Sequence, residues 1–97
     1  MKLEKSNNLN KKFVATFYDE LKKRVKTTHF GSSGSSDYTI NKDYKRKELY
    51  INRHNKRENW NDFISAGSLS RWILWNKKTL ESSLKDYLIK FNLKKSI

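Results

Sequence analysis

Leu80, Leu84, Tyr87, Leu88 and Phe91 fall at i, i+4, i+7, i+8 and i+11, with Lys85, Asp86 and Lys90 outside that series. This spacing predicts an amphipathic helix carrying one apolar stripe, and Thr79 stands where its N-cap belongs. Such a stripe has to be buried against a second layer. The rest of the chain must therefore supply one.

Two segments upstream suit a sheet. From Lys11, the run Phe13-Val14-Ala15-Thr16-Phe17-Tyr18 is rich in β-branched and aromatic residues. Arg24 to Phe30 alternates, with Val25, Thr27 and His29 on one face and Arg24, Lys26 and Thr28 on the other. Asp19 to Lys23 is the right length for the hairpin between them. A helix across Phe13 to Val25 competes, because Phe13, Phe17, Leu21 and Arg24 also share helical spacing. Ser36 to Ile40 is a candidate third strand.

Lys42 to Arg57 contains no glycine or proline and predicts a helix, with a partial apolar stripe of Tyr44, Leu49, Tyr50, Ile51 and His54. Asn59 to Gly67 reads as an ordered loop pinned by Trp60, Phe63 and Ile64. Ser68 is placed to cap a short helix through Trp75 that turns Leu69, Trp72, Ile73 and Trp75 inward. The expected fold is α+β: a small N-terminal β-hairpin or three-stranded sheet followed by three helices. Residues 1–10 show no apolar period and are expected to be a mobile basic arm, residues 11–93 a single compact domain, and residues 94–97 a basic tail.

Composition narrows the chemistry. Thirteen aromatic residues in a 97-residue chain supply enough apolar area for a folded core. With no cysteine and two histidines, disulfides, thiolate zinc sites and cysteine nucleophiles are excluded, and no metal or other cofactor is expected. No membrane-length apolar run and no signal-type run occur, which points to a soluble intracellular protein. Lysine and arginine number 22 against 10 acids, a net charge of +12, so the expected partner is a polyanion.

The charge concentrates at Lys42 to Arg57. There Lys42, Lys45, Arg46, Arg53, Lys56 and Arg57 lie along one broad side of a helix and could follow a phosphate backbone, with Arg24 and Lys26 assisting from the strand. A plain solvated helix face is the alternative. Gly31, Ser32, Ser33 and Gly34 form a polar loop that suits either ordinary turn chemistry or contact with an anion; no Walker-type Gly-Lys-Ser/Thr follows. Trp60, Trp72 and Trp75 suit core packing or base stacking. His29 and His54 suit packed or hydrogen-bonded roles, and no nucleophile, paired-carboxylate or acid–base pattern supplies catalytic residues.

The ordered string His29-Phe30-Gly31, Gly34, Asp37-Tyr38-Thr39, Lys42-Asp43, Tyr50, Arg53-His54, Glu58, Trp60 and the block from Ala66 to Lys77 resembles a family of small basic proteins. These are encoded by large and giant double-stranded DNA viruses of protists and algae, and the resemblance spans roughly residues 13–92. It implies synthesis inside a host cell, in cytoplasm, viral factory or nucleus, packaging in a virion, and a DNA genome as the nearest polyanion. It implies no catalytic residues. The leading expectation is a non-enzymatic protein that binds nucleic acid, DNA before RNA, with weak sequence specificity. Its rival is a minor structural protein of the particle that meets acidic capsid or core surfaces. A magnesium-dependent nuclease using Asp37, Glu58 and Asp62 has the least support.

Overall fold

A computed structural model describes residues 1–95, and in it strands β1 (Lys2–Lys5), β2 (Lys11–Tyr18) and β3 (Arg24–Ser32) form an antiparallel sheet in the order β1-β2-β3. Helices α1 (Tyr38–Asn41), α2 (Tyr44–His54), α3 (Ala66–Leu69) and α4 (Leu80–Lys90) follow, with a π turn at Ser70–Leu74 continuing α3. The α+β expectation holds, as does the hairpin; the competing helix over residues 13–25 does not form. Residues 96–97 of the expected basic tail lie outside the described residues.

Register explains which face is buried. Phe13 stands opposite Phe30, Ala15 opposite Thr28 and Leu3 opposite Ala15, and directly paired residues share a face. On this face Ala15, Phe17 and Phe30 meet Leu69, Ile73, Leu74 and the α4 residue Tyr87 in one buried cluster. The Tyr87 hydroxyl donates to the Phe63 carbonyl at 2.6 Å, so its one polar atom is satisfied, and burial raises its ionisation above the ordinary tyrosine range. Phe91 completes the aromatic layer, its ring 5.2 Å from Tyr87 and 5.6 Å from Phe63. The α4 stripe thus finds the second layer it requires.

Two strand expectations need correction. The third strand is not Ser36 to Ile40 but the N-terminal segment expected to be a mobile arm. Leu3 packs against the core, Met1 is buried, and the Met1 amino group donates to the Lys94 carbonyl at 2.7 Å. A polar turn closed by the Lys11 N–H on the Asn8 carbonyl returns the chain into β2. Ser36 to Ile40 cannot extend, because Asp37 accepts the Thr39 N–H and caps the single helical turn α1. Lys42, in the left-handed region at φ 53°, ends that turn, and Asp43 caps α2 by accepting from Lys45 and Arg46 N–H groups.

Helix boundaries shift for similar reasons. The cap of α3 is Ser65, which accepts the Ser68 N–H; Ser68 itself is buried and donates its hydroxyl to the Asn59 carbonyl. The expected helix Lys42–Arg57 is regular only over Tyr44–His54, leaving Lys56 and Arg57 in the turn beyond it.

A mobile arm and a paired strand differ in energetic consequence. Leu3→Ala should lower unfolding free energy by about 1–2 kcal/mol in a denaturant titration, because a partly buried leucine loses its packing. Leu9→Ala, at a residue 91% exposed in the adjoining turn, should change it by less than about 0.5 kcal/mol.

Candidate nucleic-acid interface

The one buried side chain of α2, Tyr50, lies flat against Trp75, with ring centroids 4.5 Å apart and planes 6° from parallel. Trp75 is available there because of the π turn. Its N–H bonds the Ser70 carbonyl, five residues back, which sets Trp75 one residue out of α-helical phase. Leu69, Ile73 and Leu74 are buried in the core, and Trp72 and Trp75, expected to face it, pack against it half-buried. His54 stacks on the other face of Tyr50 at 4.3 Å, completing a three-ring column.

Around this column is a cleft of about 740 Å³, bounded by α2, the start of β2, the end of β3, and the segment from Glu58 to Trp75. Four cations line it: Lys11 and Lys12 from the sheet, Arg46 and Arg53 from α2. Its two carboxylates are differently engaged. Asp37 is held by Lys12 Nζ at 2.6 Å, and Glu58 lies 3.7 Å from His54 Nδ1. The Glu58 carboxylate occupies the space against Gly67 that a Cβ would fill, so glycine there admits the acid.

The residues expected to meet phosphate divide into three groups. Arg46 and Arg53 line the cleft, whereas Lys42 and Lys45 lie at the start of α2 and Lys56 and Arg57 just past its end. Among the described residues the ion pairs are Lys2 with Glu4, Lys12 with Asp37 and His54 with Glu58; none involves these six cations. Arg24 and Lys26 form no ion pair either, but they lie at the opposite end of β3, roughly 15–25 Å from Gly31 by strand rise. They are not brought to the α2 surface.

Gly31 and Ser32 of the polar loop line the cleft; Ser33 and Gly34 do not. Gly31 at φ 79° and Gly34 at φ 83° both adopt the left-handed region, and the Ser33 and Ser35 N–H groups are spent on Asn10 and Ser32 carbonyls. Turn chemistry accounts for most of the loop. Lys11 and Lys12 went unassigned because they read as the start of a strand; only the sheet register places them beside the loop.

Other candidates are structural. His29 shares a 2.6 Å hydrogen bond with the Ser6 hydroxyl on the sheet's outer face. Arg71 lies 4.2 Å over Trp72 and donates to the Trp75 carbonyl, and desolvation lowers its proton affinity. Lys47 is withdrawn from the charged surface, donating to the Asn76 carbonyl at 2.7 Å; burial, then the charges of Arg71 and Lys77, lower its proton affinity. No group of three or more His, Cys, Asp or Glu side chains able to hold a metal occurs among the described residues, and none of their helices is long and apolar enough to cross a membrane.

The sequence profile of a family of unknown function (DUF5754) matches residues 1–54, more than half of the chain. The chain belongs to that family. The DUF5754 match runs from β1 to the last residue of α2, so it includes the cations of the cleft and ends before the Glu58–Trp75 wall. No curated protein and no solved structure matches the chain.

Burial first, and Glu58 second, push the Tyr50 hydroxyl up to about 12, against the smaller opposing pull of Arg71 and Arg53. The folded state therefore favours the neutral phenol, and the associated stability is complete below pH 10 and lost as pH rises toward about 12. Tyrosinate absorbance should show one late-titrating group in that range that Tyr50→Phe removes, and the same substitution should flatten the stability decline over that window.

Proposed function

We propose that this is a non-enzymatic nucleic-acid-binding protein of weak sequence specificity, with DNA its principal partner. The observation that carries the reading is the lack of internal compensation: Lys42, Lys45, Arg46, Arg53, Lys56 and Arg57 cluster on and around one helix without a carboxylate partner among the described residues. Uncompensated cations at this density repel one another, and a phosphate backbone relieves that repulsion while releasing its own counterions. Exposed lysines and arginines on and around one helix would contact phosphates, which position a duplex without reading its bases. In the viral setting suggested by the resemblance, the duplex is the genome and the role is to neutralise or organise it, in the infected cell or in the particle.

The competing use of the same cations is attachment to acidic capsid or core proteins. Salt dependence on defined polyanions separates the two. If about six phosphates are neutralised, the log–log slope of duplex affinity against salt should be on the order of −5, falling to about −2 when Lys42, Lys45, Lys56 and Arg57 are changed together to Gln. A slope near zero, or a slope unchanged in the quadruple variant, rules the reading out. Heparin bound as tightly as DNA would reduce it to generic polyanion attraction.

A further inference from the structure

We infer that the cleft takes one unpaired nucleotide of a single strand, with its base stacked on the ring column and its flanking phosphates on Arg46 and Arg53. This rests on the nucleic-acid reading above but assigns a further task to the cleft, lined by Arg46 and Arg53, two of the same cations. A duplex lying along the exposed cations needs no cavity, whereas about 740 Å³ of space is ample for a nucleoside.

The arrangement of chemistry inside the cleft points to that ligand. Arg46 and Arg53 are seven residues apart, two helical turns or about 10 Å along α2, with the stacked Tyr50 between them. Two cations thus stand beside the ring column, within reach of the phosphates on either side of one nucleotide. Lys11, on the opposite wall, adds a further positive charge.

The column also limits where a base can sit. Tyr50 is covered on both faces, by Trp75 and by His54, so only an end ring can accept another ring. His54 is one such end, its side chain 38% exposed, with Glu58 3.7 Å from its Nδ1. A base added there extends a three-ring stack to four. Such stacking tolerates any base, in keeping with weak sequence preference.

The test measures anisotropy of a labelled single-stranded oligonucleotide and a blunt duplex on the full chain, with a nucleoside 3′,5′-bisphosphate and pyrophosphate as competitors. The bisphosphate should compete at least tenfold better than pyrophosphate. His54→Ala should weaken single-strand binding about fivefold to a hundredfold while leaving duplex binding within about threefold. His54→Phe, which keeps the ring, should restore single-strand binding, and Arg46→Ala and Arg53→Ala should each weaken it about tenfold. Equal competition by bisphosphate and pyrophosphate overturns the pocket. So does parallel loss of duplex and single-strand binding in His54→Ala, and either result leaves the cationic surface standing. Absence of binding to every nucleic acid removes both readings.

Discussion

Asp37 is 2% exposed and directs its carboxylate at Lys12 Nζ, 2.6 Å away, and at the N–H and hydroxyl of Thr39. Lys12 belongs to the central strand and is itself shielded, at 13% exposure. One buried acid therefore ties the chain leaving the sheet to the middle of that sheet and starts the helical turn that redirects it. The direction of α2 follows from this junction. Removing one partner of such a pair leaves an unmatched buried charge, which is costlier than never having had the pair. The cationic helix is held against the cleft through that contact and through the Tyr50–Trp75 stack, with little help from surface charge.

What could be read from the chain was the local periodicity. The α4 stripe, the alternation of β2 and β3 and the helix-forming run around α2 each repeat at the period of their own element, so no tertiary information was needed. Strand β1 escaped because four residues with one inward leucine carry no period; what makes them a strand is the ladder offered by β2. Ser65 was passed over as a cap in favour of Ser68, equally able to cap on composition, and Asp37 was read inside a strand. The π turn itself escaped because such a turn has no composition of its own, and with it the contact of Trp75 with Tyr50.

The site was legible only in part, for a related reason. Arg46 and Arg53 were visible as charge on a helix, but Lys11 and Lys12 join them through strand register, and the ring column joins three residues from two elements. Of the cations expected to meet phosphate, Lys45, Arg46 and Arg53 lie on α2 and Lys42, Lys56 and Arg57 beside its ends, whereas Arg24 and Lys26, close to Gly31 in sequence, are separated from it by most of a strand. A cleft formed between segments distant in sequence leaves no spacing rule behind. The uncompensated charge, by contrast, was plain from composition and persists in the fold, where one of the three ion pairs among the described residues is the exposed Lys2–Glu4 contact of small energetic weight.

The π turn at Ser70–Leu74 amounts to one extra residue accommodated in a helix. At the same length but ordinary pitch, the segment would swing everything after it by about 100°. Trp75 would leave Tyr50, and α2 would lose its aromatic anchor while the core residues Leu69 and Ile73 kept theirs. The two halves of this small domain are thus phased by one residue, held in place by that wider turn.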